Sequence, residues 1–441
     1  MTVDLSLSLK VRTHLLCFVI AAFQSLDNGL VRKECAPLVS IGIWQNLHSE
    51  ATRDRRLNEH VQLRKVWRAA SKRFEQVDND AKSRLVFERS WLYTLLLDFL
   101  HRIYAVATAD EGKDKLVYCE RFLELLIDLQ SQLPTRRYVN SLLEDLNLLS
   151  AIKLSPTYLD EDNGLFRDMV TLLLHYTQFP IDDQSAQQLS NLQYHNTHNS
   201  KLARLQRIAF KHFPETLKVL ALSNYGALGQ RDELESHLKV LSDEELIDFC
   251  NLLGFRTAYP SSASVTTDRS FYTELLLFKF ETRPTFQEAI QRLTILPTEE
   301  TLYEPSLRRN EEYNGSRPLA LPKLNLQYLT MGDFLWRSFI LHRCESFYGI
   351  RTDVEDVIKR LQPKATGGST RFFGTSRMAL QIPKPAITDV AAAKVGEFVP
   401  AHVRSEVILD VYRLNYNVRK EWESLKPGDV VFLAAVHPLD P

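Results

Sequence analysis

Residues 53–73, RDRRLNEHVQLRKVWRAASKR, hold eight Arg or Lys against two acids. Arg64, Arg68 and Lys72 recur every four residues, which on a helix puts them on one face. Leu63, Trp67, Ala70 and Phe74 fall towards another side. Such a segment would pack by one side and present positive charge on the other, as contact with RNA phosphates or an acidic partner requires. A solvated helix face has the same composition, so the ladder carries both readings. Arg136 and Arg137, at the start of a helix beside a tight turn, form a second cationic pair on the same terms.

Other chemistries find less support. His195 and His198 stand three apart in HNTHNS, a spacing that suits one metal ion, but no third ligand is near and the polar segment reads as an exposed loop. Gly367, Gly368 and Gly374 around Ser369 and Thr370 lack the lysine and the strand-to-helix context of a phosphate-binding loop, and GxxxxGK[ST] does not occur. Nor do HExxH, GxSxG or a supported pair of carboxylates. Asp243, Glu244 and Glu245 are explained by helix capping after Ser242. The five cysteines include no CxxC pair, which argues against a disulfide framework or zinc site and for a reducing compartment. No catalytic residue, cofactor, metal, small-molecule substrate or membrane partner is expected.

The elements that would position the cations are mostly helices. The chain has 441 residues, 54 Lys plus Arg against 55 Asp plus Glu, and only 15 Gly and 18 Pro. That balance excludes neither a nucleic-acid partner nor its absence, and the low Gly and Pro content fits ordered helical domains. No apolar run reaches the 18 residues of a membrane span. The run Leu15 to Phe23 resembles a short signal-peptide core, but no small-residue cleavage site follows and its periodicity continues to Ile41, so a buried helix is expected. Segments 11–26, 57–75, 81–108, 115–132, 136–152, 164–177, 201–222, 230–240, 243–254 and 270–280 carry apolar residues at helical spacing. Residues 116–149 read as an αα-hairpin broken near Pro134, and several such pairs in series make an armadillo- or HEAT-like α-solenoid without a strict period. Segments 182–200 and 257–268 read as exposed loops, and 297–317 as an irregular linker.

A long helix should follow from 331 to 361, spanning roughly 45 Å. Thr330 and Asp333 mark its start, and Pro363 its end. Ile340, Phe347, Val354 and Leu361 recur every seven residues, with Trp336, Ile350 and Val357 between them, and form a packing seam. Beyond Pro363 come a flexible turn at 366–370, strands at 386–395 and 402–412, a short helix from Val418 to Leu425 and a buried strand at 430–433. In the second strand Val403, Val407, Leu409 and Val411 should line one face. These few strands cannot close a barrel.

The stretches YCERFLELLIDLQSQLPTRRYVNSLLEDLNLL at 118–149, LQRIAFKHFPETLKVLALSN at 205–224, LALPKLNLQYLTMGDFLWRSF at 319–339, IRTDVEDVIKRLQP at 350–363 and WESLKPGDVVFL at 422–433 are long and specific. Together they resemble the Aquarius family of intron-binding spliceosomal RNA helicases. The resemblance implies an armadillo-like helical array over 1–315, a stalk over 316–362 and the start of a β-barrel over 363–441. It further implies a nuclear role in pre-mRNA splicing, with spliceosomal proteins of an intron-binding complex and intron RNA as partners. The family's ATPase domains have no counterpart here, so the chain is expected to be a non-catalytic portion truncated at both ends. Locally, RFFGTSRMA at 371–379 lacks the tryptophan that the family tends to place before this run. The competing class is a generic α-solenoid protein-interaction adaptor with no RNA role.

Overall fold

The computed structural model of the chain describes residues 5–105, 109–303, 313–366, 369–382, 385–396 and 398–438. Part of the expected linker, residues 304–312, and the turn residues 367–368 lie outside them. The protein is mainly helical, and its backbone divides into two compact units, Met1–Cys344 and Glu345–Pro441.

The first unit is built around the helix Ala109–Gln130. Tyr118, Cys119, Phe122, Leu123, Leu125, Leu126 and Leu129 are all fully buried there, each of the larger ones contributing about 1.5–3 kcal/mol. It packs against Leu9–Gln24 and Gly164–Thr177, so its neighbours come from well before and well after it in the chain. Phe99, from helix Asn79–Tyr104, lies 4.9 Å from Phe122 and 6.5 Å from Phe166 between ring centres. The expected buried helix at the N-terminus is present, with Leu16, Ile20 and Phe23 inside. Its buried Arg12 pairs with Asp98 and donates to the Tyr118 hydroxyl at 2.9 Å.

Several element bounds differ from those expected, each for a local reason. The segment 57–75 is two helices, Glu50–Glu59 and Val61–Gln76, because His60 takes extended backbone angles. The helix after Pro134 stops at Asp145, since Asn147 adopts a left-handed conformation, and the chain resumes as Leu148–Lys153. The side-chain amide of Asn147 donates to the Arg256 carbonyl at 3.1 Å, holding that break. The expected loop 182–200 is half helix. Ser190 and Gln193 close a capping box and start Asn191–His212, which then ends ten residues before the bound read from periodicity. The capping box at Ser242 and Glu245 forms as expected.

Residues 313–330 are strapped along Ala109–Gln130 by charge. Arg317 pairs with Glu120, and Lys323 reaches Glu124 at 2.7 Å and Asp128 at 2.9 Å. The strap feeds the long helix Met331–Leu361, whose bounds match the expected ones. Its first turn is fixed by Thr330, which accepts from the Asp333 amide at 3.2 Å, and by Asp333, which accepts from the Leu329 amide at 2.9 Å. Arg337 donates to both oxygens of Asp333, at 3.0 and 2.6 Å, and both side chains are wholly buried. It also donates to the carbonyls of Ser131 (2.8 Å), Lys323 (2.9 Å) and Gln327 (3.3 Å). At the preceding residue, Trp336 stacks on His175 at 3.8 Å between ring centres. Along the expected seam Phe347 is buried, and the other members are half-buried.

In the second unit the strands are short and form two separate antiparallel pairs among the described residues. β1 (Pro363–Thr366) pairs with β2 (Ser369–Phe372), and β3 (Ala386–Val390) with β4 (Val403–Glu406). The expected strands 386–395 and 402–412 are thus cut to five and four residues, and 430–433 is neither a strand nor buried. Val403 is 54% exposed and Leu433 71%. A two-stranded ribbon has no second layer on which to bury an apolar face.

Two outcomes follow. Replacing Arg337 by Met leaves a buried carboxylate and three carbonyls unmatched. Urea unfolding of Arg337→Met should therefore show a loss of about 3–5 kcal/mol, with part of it recovered in Asp333→Leu/Arg337→Met. Burial, with Arg337 and Arg136 adding to it, pushes His175 down to about 3 from its ordinary 6.5. Between these values the unfolded chain binds the extra proton, so stability must fall as pH falls through that window. The slope from this group is at most about 1.4 kcal/mol per pH unit. His175→Phe keeps the ring cage and should flatten it, as read from denaturation midpoints at pH 7.5, 6 and 5. An unchanged slope would assign the acid sensitivity elsewhere.

Candidate nucleic-acid and partner interface

The cationic ladder lies on the helix Val61–Gln76, and its sidedness is as the spacing predicts. Leu63 is buried, while Trp67 and Ala70 pack against the core. Cations from neighbouring elements hold this inner side. Arg53 lies over the Trp67 ring at 5.0 Å and Arg89 over the Phe74 ring at 4.0 Å. Arg89 also donates to the Ala70 carbonyl at 2.8 Å, which pins the middle of the helix. The geometry of cation–π contacts adds about 0.5–1 kcal/mol apiece at such sites.

The outer side carries Arg64, Lys65, Arg68, Lys72 and Arg73, all exposed. Arg64 donates to the Asn58 side chain. None of the five forms an ion pair with a carboxylate among the described residues, and the one acid on the helix is Glu75. Positive charge without counter-charge, on a side chain free to reach outwards, is the arrangement that captures phosphate. Arg64, Arg68 and Lys72 are spaced about 6 Å apart along the axis.

Arg136 and Arg137 are placed differently. Arg136 is 2% exposed and its guanidinium is spent internally. It pairs with Asp183 at 2.6 Å and donates to the carbonyls of Tyr176 and Thr177, which end the helix Gly164–Thr177. Arg137 is half-buried and donates to the carbonyls of Asp183 (3.2 Å) and Gln184 (3.3 Å). The pair therefore fastens the 182–184 loop to the helix Leu133–Asp145. The two histidines, expected on a loop, lie on the helix Asn191–His212 and turn to different partners. His195 faces Glu288 at 3.5 Å, and the His198 ring nitrogen lies 3.1 Å from the Thr282 hydroxyl. No group of three metal-ligating side chains occurs among the described residues.

Beside Arg137 the first unit contains a half-open cavity of about 640 Å³. Arg55, Lys201, Arg204 and Lys279 line it, and none of the ladder residues does. Sequence spacing does not reveal this group, because its members come from three helices up to 224 positions apart.

The chain was compared with known proteins. A family model described as intron-binding protein aquarius N-terminal matches residues 1–284, and one described as intron-binding protein aquarius, beta-barrel matches residues 361–441. Over 441 residues the chain is 36% identical to RNA helicase aquarius of Mus musculus, covering 99% of this chain and 30% of that relative. It is also 22% identical over 323 residues to pre-mRNA-splicing factor cwf11 of Schizosaccharomyces pombe, covering 72% of this chain and 24% of that relative. The chain thus spans less than a third of the length of the curated relatives it matches. With both N-terminal models matched in order along one chain, the protein belongs to the Aquarius family of intron-binding proteins.

Proposed function

We propose that this chain is the N-terminal scaffold portion of an intron-binding pre-mRNA splicing factor, working in the nucleus without catalysis of its own. The observation that carries the reading is the ordered match to the family's N-terminal and barrel regions, which together take in most of the chain. The helical array over 1–315 would hold spliceosomal proteins of an intron-binding complex. The stalk at 316–362 would carry the barrel that begins at 363. Neither a phosphate-binding loop nor a nucleophile with its base is found in the sequence, which supports a binding role rather than ATP hydrolysis.

Within that role the ladder of Arg64, Arg68 and Lys72 is the proposed contact with intron RNA. An exposed cationic face without counter-charge supports it, and so does a rigid inner side that needs no reordering on contact. Arg137 keeps part of its surface and would contribute at most a secondary contact. Arg136 would act indirectly, by holding the 182–184 loop.

Reversing three phosphate contacts should weaken binding to a single-stranded intron RNA at least about tenfold and lower the salt slope by about 2. The measurement is fluorescence anisotropy of Arg64→Glu/Arg68→Glu/Lys72→Glu at several salt concentrations, with circular dichroism to check the fold. Wild-type affinity in the folded variant would dispose of the ladder contact. Retrieval of splicing proteins without any RNA binding by the wild-type chain would favour the plain adaptor instead.

A further inference from the structure

The half-open cavity beside Arg137 has more positive charge than its own carboxylates can answer. Its acids are committed. Glu59 and Glu144 pair with Arg56, Asp145 with Arg256 at 2.8 Å, and Asp183 with Arg136 at 2.6 Å. Asp182 accepts from the Ser185 hydroxyl and faces His60 at 3.5 Å. This leaves Arg55, Lys201, Arg204 and Lys279 lining the cavity with no ion pair to a carboxylate among the described residues.

The two arginines converge. A Cβ on Gly254 would stand 3.1 Å from Nη1 of Arg55 and 3.6 Å from an Nη of Arg204. Both guanidinium groups therefore lie against the Gly254 backbone, their nearest nitrogens no farther apart than those two distances added, and glycine, left-handed here at φ 77°, is the residue that lets them come so close. Arg204 spends one donor on the Leu253 carbonyl at 2.8 Å, and Lys279 donates to the Glu144 carbonyl at 3.3 Å. Burial and then Arg204 push Arg55 down, while burial, with Lys201 and Arg56 adding to it and the Glu144 carboxylate opposing it, brings Lys279 to about 8. Like charges that outnumber the carboxylates near them are costly to hold, and an anion between them lowers that cost.

We infer that this cavity binds a small, multiply charged anion of the phosphate class, held between the Arg55 and Arg204 guanidiniums with Lys201 and Lys279 beside them. Planar guanidinium forks match phosphate oxygens in pairs, and ammonium groups supply further charge. The volume suits one small molecule. Walls drawn from Glu50–Glu59, Leu133–Asp145, Asn191–His212 and Arg269–Phe280 enclose it from several sides, which favours a free ligand over an RNA strand. The site is independent of the ladder's contact with RNA.

The test uses the full chain, titrated calorimetrically with inorganic phosphate, pyrophosphate and tripolyphosphate at matched ionic strength. One saturable site is expected, with affinity rising as phosphates are added. Arg55→Gln/Arg204→Gln should weaken tripolyphosphate binding by about tenfold or more. Lys394→Gln/Arg413→Gln, which removes the same charge from exposed positions of the second unit, should leave it unchanged. If the cavity pair does not fold, Lys201→Gln reads the same site, because its ammonium makes no hydrogen bond among the described residues, and a several-fold loss is expected. Absence of saturable binding at millimolar tripolyphosphate would overturn the inference, as would equal binding by the folded cavity variants. Single-stranded RNA that displaces tripolyphosphate and loses affinity in those same variants would also overturn it, by making the cavity part of the RNA path.

Discussion

The wholly buried pair of Asp333 and Arg337 is the interaction on which the join between the helical array and its long helix depends. Two charges taken out of water are tolerable only when every lone pair and proton finds a partner. Here Asp333 takes both of the Arg337 contacts and the Leu329 amide. Arg337 turns its other donors to carbonyls at three places: Lys323 and Gln327 in the strap, and Ser131 just past the end of the central helix. One side chain thereby fixes the first turn of the long helix, the path of the strap and the end of Ala109–Gln130 together. The strap's own ion pairs to Glu120, Glu124 and Asp128 then set its register along that helix.

This arrangement explains which parts of the fold could be read from the sequence. Helices with an apolar stripe and a strong cap were legible, because the information sits within four residues. The long helix and the Ser242 capping box are examples. The helix starting at Asn191 carries an equally local mark, Ser190 with Gln193, but the polar residues after it conceal the period and it reads as a loop. The break at Asn147 was not legible, since it is fixed by a carbonyl at position 256. The strands of the second unit looked buried by alternation alone. Alternation reports which residues share a face, and whether anything covers that face is a tertiary fact.

The candidate site divides in the same way. The ladder was legible because both its charged and its apolar sides repeat with the helix, and Leu63 and Trp67 fix which side points in. For Arg136 and Arg137 the sequence offered only charge at a helix start. Their fate is decided by Asp183 and by the end of the helix Gly164–Thr177, 40 or more residues on. The cavity cations lie beyond any pattern, since neither their spacing nor their neighbours in sequence distinguish them from surface charge.

A common physical cause lies behind these arginines. A helix leaves its last four carbonyls without partners, and glycine in a left-handed cap is the usual remedy. With 15 glycines in 441 residues, this chain supplies few such caps. Arginines from elsewhere take over the task. Arg136 meets the carbonyls ending Gly164–Thr177, and Arg337 meets Ser131 beyond Ala109–Gln130. Arg269 meets Leu238, Lys239 and Leu241 at the end of Arg231–Leu238, and at the end of Asp243–Leu253, where Gly254 does form a left-handed cap, Arg204 adds to it by meeting Leu253. A guanidinium at a helix C-terminus gains from the dipole as well as from the hydrogen bonds, so these contacts are stable uses of charge. Arginine content is therefore a poor guide to RNA contact in this fold. What distinguishes Arg64 and Arg68 is that neither reaches a backbone carbonyl or a carboxylate among the described residues, Arg64 meeting only the Asn58 side chain, so that their charge stays unanswered there.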